Sequence, residues 1–310
     1  MKLIFMGTPD FAVPGLERLI ADGHDIALAV TQPDKPVGRK QILTPSAVKQ
    51  CALTHGIPVY QPTSMKSDEA YERLAAENAQ AIIVIAYGKI LPSRILTLTP
   101  FGCINVHGSL LPRYRGAAPV QWAVLNGDAE SGVTTMKLDE GVDTGDILLM
   151  SRRPLDDTIT GGELFDLLAA DGAELISRTL TELEAGRLTP TPQPTEGACY
   201  ASMLTKEDCP LDWHKPAAML HNQVRGLNPW PVATCRIGDK TVKVYRSAVC
   251  GHTDAAPGTV LAGEGLTVAC GDGTALRLEE IQPEGSRRMA ANDYLRGHPV
   301  APGTVLGDKL

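Results

Sequence analysis

Strand-length apolar runs alternate with helix-spaced apolar residues through the first half of this 310-residue chain, and this alternation constrains its fold most strongly. Residues 2–6 form an apolar run that ends in a Gly-Thr-Pro-Asp turn, and apolar side chains then recur at helical spacing through residues 11–20. Residues 26–30 and 57–60 repeat the strand pattern, and residues 81–86 form a continuous apolar run typical of a strand buried on both faces. The alternation predicts an α/β domain with a doubly wound, mostly parallel sheet.

A proline- and threonine-rich stretch divides the chain into two parts of different composition. Because a single hydrophobic core stops growing at roughly 250 to 300 residues, a chain of 310 residues favours two domains. Thr160 and Glu163 have capping-box spacing at the start of a long helix, which we expect to close the first domain. We predict a first domain over residues 1–189, a linker over residues 190–204 and a second domain over residues 205–310.

Short β-rich runs separated by glycine, aspartate and proline follow the predicted linker. These runs favour a small β-barrel or sandwich. The hexapeptide Ala-Pro-Gly-Thr-Val-Leu occurs at residues 256–261 and again at residues 301–306, which indicates one turn-and-strand unit used twice.

Composition and short motifs disfavour several classes of protein. With 43% hydrophobic and 21% charged residues, and no apolar run near the ~20 residues of a membrane span, the chain is typical of a soluble, cytoplasmic protein. The net charge of -7 disfavours a protein that coats nucleic acid. Scattered cysteines and the lack of a His-Glu-x-x-His motif predict free thiols and no metal. The first turn also lacks the Gly-x-Gly-x-x-Gly motif of dinucleotide-binding proteins.

An asparagine and a histidine mark a candidate catalytic site. Asn105 and His107 alternate along the apolar run at residues 103–107, so they share one face where the predicted strand ends. Both side chains can donate hydrogen bonds toward one point, as an acyl-transfer site requires where a carbonyl oxygen becomes an oxyanion. A lone histidine near a strand end is more often structural, so the pair by itself leaves both interpretations open.

An acidic, glycine-bearing loop at residues 139–146 is a second candidate. It carries four acidic residues between two β-like runs: Asp139, Glu140, Asp143 and Asp146. One of these carboxylates can orient His107 or exchange a proton with it. The pattern does not choose among the four, and a solvated turn is the alternative.

Two segments resemble the 10-formyltetrahydrofolate-dependent formyltransferases. They are Asn-Val-His-Gly-Ser-Leu-Leu-Pro-Arg-Tyr-Arg-Gly-Ala-Ala-Pro at residues 105–119 and Gly-Val-Asp-Thr-Gly-Asp from Gly141. The resemblance extends over nearly the whole chain, for example to Met-Gly-Thr-Pro-Asp-Phe at residues 6–11 and Arg-Gly-Leu-Asn-Pro-Trp-Pro at residues 225–231. It implies a Rossmann-like first domain and a C-terminal OB-like barrel that helps to hold tRNA. It also implies formyl transfer from 10-formyltetrahydrofolate to the amine of initiator methionyl-tRNA, with no membrane and no obligate protein partner.

The resemblance further implies the residues of the site. It assigns catalysis to Asn105, His107 and Asp143, and so selects one of the four acidic residues. It places the tetrahydrofolate site around four consecutive residues, which are Ser109, Leu110, Leu111 and Pro112.

Three further residues are candidates for binding the tRNA acceptor. The basic segment at residues 33–45 fits no single strand or helix pattern, and the resemblance makes it a loop that engages the acceptor end through Arg39. Phe11 either lines a pocket for the methionine side chain or belongs to the core. Lys206 either contacts a phosphate or lies in the first turn of a helix capped by Thr205.

Other formyl acceptors and other classes of protein are alternatives. A formyltransferase acting on an amino sugar or on glycinamide ribonucleotide, or a hydrolase that passes the formyl group to water, would keep the same three catalytic residues. The glycinamide version should carry a glycine-rich phosphate loop after the first strand, which residues 7–11 do not supply. A non-enzymatic tRNA-binding protein is disfavoured because Asn105, His107 and Asp143 are all present.

Overall fold

The computed structural model describes residues 1–38 and 40–307, and the chain forms two compact units. The N-terminal unit comprises Met1–Pro119, Ser131–Arg153 and Phe165–Ala201, and the C-terminal unit comprises Val120–Glu130, Pro154–Leu164 and the chain from Ser202 onward. Val120–Glu130 and Pro154–Leu164 thus belong to the C-terminal unit, although they precede the rest of it in the chain. The two units are therefore not continuous ranges of the sequence.

The strands of the described residues are β1 (Lys2–Gly7), β2 (Asp25–Val30), β3 (Lys35–Val37), β4 (Ile42–Thr44), β5 (Val59–Tyr60), β6 (Ala81–Ile85), β7 (Cys103–His107), β8 (Arg115–Gly116), β9 (Glu130–Lys137), β10 (Ile147–Pro154), β11 (Tyr200–Ala201), β12 (Ala233–Ile237), β13 (Lys240–Cys250), β14 (Leu266–Ala269), β15 (Ala275–Pro283) and β16 (Met289–Ala290). The helices are α1 (Val13–Ala21), α2 (Ala47–Thr54), α3 (Asp68–Ala75), α4 (Ser93–Leu96), α5 (Pro119–Leu125), α6 (Gly161–Glu184), α7 (Ala217–Gly226) and α8 (Ala291–Gly297). None of these helices combines the length and the apolar character needed to cross a membrane.

A seven-stranded sheet in the order β10-β9-β7-β6-β1-β2-β5 organises the N-terminal unit. The strands from β7 to β5 in that order run parallel, and β9 runs antiparallel to β7. The chain leaves β1 toward β2 and β5 and then returns to β6 on the other side of β1. In open α/β sheets, ligands bind outside the carboxyl ends of the strands near such a reversal. The predicted doubly wound, mostly parallel sheet is confirmed.

Helix α6 covers one face of this sheet, and its packing fixes which way the residues of β7 face. A Cβ atom added to Gly172 of α6 would lie 2.9 Å from Val106 Cγ1, so Val106 faces the helix at close approach. Because successive residues of a strand point to opposite faces, Asn105 and His107 lie on the face away from α6.

Side chains define where two helices begin. The Glu163 carboxylate accepts a hydrogen bond from the Thr160 amide at 2.9 Å, and the Thr160 hydroxyl accepts one from the Glu163 amide at 3.2 Å. This is the predicted capping box of α6. Helix α2 begins after Thr44 ends β4, and the Ser46 hydroxyl caps it by accepting a hydrogen bond from the Lys49 backbone amide at 3.1 Å.

The basic segment at residues 33–45 contains a β-hairpin. Strand β3 pairs antiparallel with β4, from Lys35 opposite Thr44 to Val37 opposite Ile42, so the prediction that no strand pattern fits this segment is wrong. Val37 and Ile42 are 57% and 61% exposed, so the hairpin lacks the alternation of burial by which strands are recognised in sequence. Arg39 lies outside the described residues.

The two copies of the hexapeptide close the antiparallel sheet of the C-terminal unit. The sheet has the order β12-β13-β15-β14, with β16 paired to β15. Two isolated bridges join the first copy to β14 and to the second copy: Val260 to Val268, and Thr259 to Val305. A third bridge joins Gly307, directly after the second copy, to Arg236 of β12. The ring of pairings leads from β14 back to β12, so the predicted β-barrel is confirmed.

Each hexapeptide copy begins with the same turn. In both copies the fourth residue donates its amide hydrogen to the carbonyl of the first residue at 3.1 Å. Proline occupies the second position, and the third residue, Gly258 or Gly303, has a φ of 84° or 87°. A type II turn requires this positive φ, which glycine adopts without steric cost.

The seven cysteines are free thiols, as predicted. Burial raises the pKa of Cys103, Cys235 and Cys270 to about 12. These three thiols therefore stay protonated and unreactive near neutral pH, because the thiolate is the nucleophile and the metal ligand.

Candidate active site

Asn105 and His107 lie together at the carboxyl end of β7. The strand is flanked by β6, where Val84 is in register with Asn105, and by β9, where Thr134 is in register with His107. Asn105 is 8% exposed and His107 is 6% exposed. Both side chains are thus held nearly out of water at one edge of a rigid sheet, as a preorganised site requires.

The ring of His107 is oriented by a backbone carbonyl. Its Nε2 atom lies 2.8 Å from the Tyr114 carbonyl oxygen. Since a carbonyl only accepts hydrogen bonds, this contact assigns the hydrogen to Nε2. Nδ1 faces the Asp143 Oδ2 atom at 3.7 Å, which is within ion-pair range but beyond a normal hydrogen bond. Nδ1 is therefore the nitrogen that can gain or lose a proton.

The structure distinguishes among the acidic residues of the loop between β9 and β10. The Asp143 carboxylate lies beside His107 and also accepts a hydrogen bond from the Gly116 amide at 2.8 Å. The Asp139 carboxylate instead accepts hydrogen bonds within its own loop, and Glu140 accepts one from a serine of α4. Of these three acidic residues, Asp143 is the one whose carboxylate faces the histidine.

Asp143 is held in an unfavourable backbone conformation. Its φ of 53° lies in the left-handed region, which costs a residue other than glycine on the order of 1 kcal/mol or more. Such a conformation persists only where surrounding contacts impose it, so the hydrogen bonds around this loop matter for the position of the carboxylate.

The side-chain amide of Asn105 has no hydrogen-bond partner among residues 1–38 and 40–307. The side-chain nitrogen and oxygen of Asn105 are not among the fully buried polar atoms that lack a partner, so they keep a small accessible surface. The amide is available to donate to a bound carbonyl oxygen.

The predicted folate turn, residues 109–112, divides into buried and accessible members. The Ser109 hydroxyl donates to the Arg113 carbonyl at 2.6 Å, and Ser109 has no exposed surface. Thr134 braces the turn, because its hydroxyl donates to the Ser109 carbonyl at 2.7 Å and accepts from the Leu111 amide at 3.2 Å. Leu111 is buried, whereas Leu110 and Pro112 retain accessible surface. The sequence pattern did not single out Thr134.

The carboxyl ends of β1 and β6 are joined at the reversal of strand order. The Tyr87 carbonyl accepts hydrogen bonds from the Thr8 hydroxyl at 3.2 Å and from Gln32 Nε2 at 2.9 Å. Burial raises the pKa of the Tyr87 phenol to about 12, so it stays neutral. The two hydrogen bonds join the segments that follow β1, β2 and β6 at the carboxyl end of the sheet.

Phe11 and Lys206 are the other predicted residues that the structure describes. Phe11 is 7% exposed and its ring packs 5.0 Å from the ring of Phe165, an arrangement that favours a place in the core. Lys206 belongs to the C-terminal unit, where it starts a short 3-10 helix capped by Thr205 and Asp208. Arg39 is outside the described residues.

The segment predicted as a linker is bonded to the N-terminal unit. Thr191 exchanges two backbone hydrogen bonds with Ile147, at 2.8 and 2.9 Å. Gln193 Nε2 donates to the backbone carbonyls of Asp143 and Gly145 at 2.9 and 2.8 Å. The sequence analysis missed Gln193, because its proline-rich surroundings show neither periodicity nor a motif.

A group of side chains with metal-ligand character lies on helix α1, on helix α2 and on the residue directly after α2. Ligand atoms of Glu17, Cys51 and His55 are within 4.8 Å of one another, a group that the search for cysteine and histidine motifs did not find. Burial and the charge of Glu17 raise the pKa of the Cys51 thiol. The group is not part of the strand-end cluster of Asn105 and His107.

Family models match both parts of the chain. A model described as formyl transferase matches residues 1–180, and one described as formyl transferase, C-terminal domain, matches residues 203–299.

Curated relatives match along nearly the whole chain. A methionyl-tRNA formyltransferase of Trichlorobacter lovleyi is 46% identical over 307 residues, which cover 98% of this chain and 96% of the relative. A methionyl-tRNA formyltransferase of Caldanaerobacter subterraneus subsp. tengcongensis is 47% identical over 309 residues, which cover 99% of this chain and 100% of the relative.

Solved structures share the fold at lower identity. An N-formyltransferase from Helicobacter canadensis, solved with folinic acid and dTDP-3-aminofucose, has a TM-score of 0.67 and 19% identity and covers 90% of this chain and 98% of its own. The sugar 3N-formyltransferase WlaRD, solved with dTDP and 5-N-formyl-THF, has a TM-score of 0.68 and 19% identity and covers 93% of this chain and 99% of its own. At this identity the likeness shows the fold alone.

Proposed function

Because the chain belongs to the formyl transferase family, we propose that it transfers the formyl group of 10-formyltetrahydrofolate to the free amine of initiator methionyl-tRNA. One observation carries the choice of acceptor: relatives 46% and 47% identical, matched over 98% and 99% of this chain, are named methionyl-tRNA formyltransferases. We place the reaction in the cytoplasm, because its acceptor is a substrate of protein synthesis, and we propose no obligate protein partner.

The turn after β7 fits a folate donor. The accessible surfaces of Leu110 and Pro112 are apolar and suit a planar heterocycle, whereas Ser109 and Leu111 are buried. In this proposal Leu110 and Pro112 contact the donor, and Ser109 and Leu111 keep the turn in shape.

The free amide of Asn105 supplies electrostatic stabilisation. A neutral amine attacks the formyl carbon, and α-amino groups have reference pKa values of about 7.7 to 8.0, so a useful fraction is neutral near pH 7. As the new carbon–nitrogen bond forms, negative charge develops on the formyl oxygen. Asn105 donates to that oxygen, and this hydrogen bond is strongest in the transition state because the oxygen then carries negative charge.

In this proposal His107 transfers the proton and Asp143 assists it. The Nε2 hydrogen of His107 is committed to the Tyr114 carbonyl, so Nδ1 takes a proton and donates it. The Asp143 carboxylate stabilises the imidazolium that exists while Nδ1 is protonated. The proton lost by the attacking amine is delivered to N10 of the folate as the bond from N10 to the formyl carbon breaks, and the carbonyl re-forms on the product.

Arg39 remains our candidate for engaging the acceptor end of the tRNA, with Phe11 and Lys206 as further candidates for contact with the aminoacyl-tRNA. We expect Arg39→Ala to raise the KM for tRNA and to leave the KM for the folate unchanged. An unchanged KM for tRNA would remove Arg39 from the proposal.

The test supplies purified protein with 10-formyltetrahydrofolate and one of three acceptors, which are charged initiator methionyl-tRNA, a nucleotide-linked amino sugar, and water alone. Wild type should formylate the tRNA. His107→Ala also loses the hydrogen bond to the Tyr114 carbonyl, and it should lose far more activity than its fraction unfolded accounts for. Formyl transfer to the amino sugar, or release of formate without transfer to tRNA, would overturn the proposed acceptor.

A further inference from the structure

A glutamine outside the catalytic group bonds the loop that carries Asp143. The Nε2 group of Gln193 has two hydrogens, and each meets a backbone carbonyl of this loop, that of Asp143 at 2.9 Å and that of Gly145 at 2.8 Å. The side chain thus ties together the residue that bears the proposed carboxylate and the residue two positions later.

An arginine fixes the orientation of this glutamine. The Oε1 atom of Gln193 accepts hydrogen bonds from Arg115 Nε at 3.1 Å and from Arg115 Nη2 at 2.8 Å. With the amide turned over, an oxygen would face two carbonyl oxygens and an NH2 group would face the guanidinium. The network therefore permits one orientation, and all four hydrogen-bonding positions of the amide are used.

The bonded loop and its surroundings determine where the Asp143 carboxylate lies. The residue after Arg115, Gly116, donates its amide hydrogen to Asp143 Oδ2 at 2.8 Å, and the same oxygen is 3.7 Å from His107 Nδ1. Asp143 itself has a left-handed φ of 53°, a conformation that surrounding contacts must impose on a residue other than glycine. Gln193 supplies two of the hydrogen bonds around it.

Strand pairing holds the backbone on either side of Arg115. Strand β8, which contains Arg115, pairs in parallel with β11, which follows Gln193 by a few residues. A Cβ atom added to Gly116 would lie 2.8 Å from the Ala201 carbonyl oxygen, so the two segments are in close contact. This pairing holds the backbone of Arg115, which donates to Gln193, in place.

We propose that Gln193, oriented by Arg115, is a positioning residue that holds the Asp143 carboxylate in place to act on His107. This inference rests on the proposed function for the roles of Asp143 and His107. Glutamine suits the position because its amide offers an acceptor to the guanidinium and two donors to the carbonyls. Glutamate keeps the first contact but faces the carbonyls with an oxygen.

The variants to compare are Gln193→Ala, Gln193→Glu and a matched control, Gln223→Ala. Gln223 also bridges two backbone carbonyls through Nε2, those of Asp208 and Pro210 at 2.8 and 3.0 Å, but within the C-terminal unit. A purely structural role would give Gln193→Ala and Gln223→Ala similar effects. We expect both to lower thermal stability, and only the Gln193 variants to lower kcat, by roughly tenfold to a hundredfold, with the KM for folate nearly unchanged.

A double-mutant cycle tests whether Gln193 acts through Asp143. In an Asp143→Asn background, Gln193→Ala should lower kcat far less than it does in wild type, because the group that it positions is already changed. Equal fold-losses in the two backgrounds, or a wild-type kcat in Gln193→Ala, would overturn the proposal. Activity is measured with the acceptor that wild type uses. If the proposed acceptor is wrong, the assay of wild type shows it, whereas a wrong role for Gln193 shows only in the variants.

Hydrogen exchange supplies a readout that does not depend on activity. Amides of residues 139–146 should exchange faster in Gln193→Ala than in wild type, and at the wild-type rate in Gln223→Ala. Unchanged exchange of this loop in Gln193→Ala would overturn the proposal even if turnover fell.

Discussion

Replacing Asn105 with alanine should separate activity from stability. Its amide has no hydrogen-bond partner in the described part of the chain, so the substitution breaks no hydrogen bond within the protein. The side chain is 8% exposed, so its truncation mainly removes packing. We therefore expect the free energy of unfolding to fall by about 1 kcal/mol.

The effect on turnover should be much larger. Removing one donor to an oxyanion lowers kcat by about 100-fold to 1,000-fold, equivalent to about 2.7–4 kcal/mol of transition-state stabilisation. The assay measures kcat for formyl transfer at saturating donor and charged tRNA, and urea unfolding of the same preparations measures stability.

Asn228→Ala is the matched control for this prediction. The Asn228 amide donates to the Tyr245 carbonyl at 2.9 Å in the C-terminal unit, so its loss removes a hydrogen bond that exists. We expect this variant to lose about 1 kcal/mol of stability and to keep its kcat. The reasoning is refuted if Asn105→Ala keeps wild-type turnover, or if it loses turnover only in proportion to the fraction unfolded.

Three further predictions concern the folded state. Leu306 is 1% exposed beside the bridges that close the barrel, so Leu306→Ala should lower the free energy of unfolding by about 2–5 kcal/mol; a loss below 1 kcal/mol in urea unfolding would contradict this. Thr160→Ala removes the cap of α6 and should cost about 1 kcal/mol, seen as a lower Tm by calorimetry, and an unchanged Tm would contradict it. The pKa of Cys103, Cys235 and Cys270 is about 12 when folded. The unfolded value is about 8.5, so the unfolded state releases these protons first. Their contribution to stability is fully present below pH ~8.5 and lost as the pH rises toward 12, so the urea midpoint should fall from about pH 8 to pH 10.5, and a constant midpoint would contradict this.

Features that depend on local pattern could be predicted from the sequence. The buried strands β1 and β6, the capping box of α6 and the shared face of Asn105 and His107 follow from backbone periodicity and side-chain chemistry within a few residues. The repeated hexapeptide likewise predicted a repeated turn, because Pro and Gly at fixed positions select one turn type.

The closure of the barrel could not be predicted from local sequence pattern. The sequence indicated two turn-and-strand units, but only the fold shows that they pair with each other and close the sheet. The hairpin at residues 35–44 was missed for the opposite reason, since its strands are exposed and carry no alternation of burial.

Sequence by itself determined the two-domain α/β architecture, the strand end that carries the candidate site, and a family resemblance strong enough to suggest the chemistry. Only the tertiary structure shows which acidic carboxylate faces His107, that the Ser109 hydroxyl donates within its own turn, and that Gln193 bonds the loop of Asp143. The Gly116 and Gln193 contacts to Asp143 join residues 27 and 50 positions apart. Side-chain periodicity is a property of the local backbone, whereas contacts across such separations exist only after the chain has closed on itself, and no pattern in a single sequence encodes their geometry.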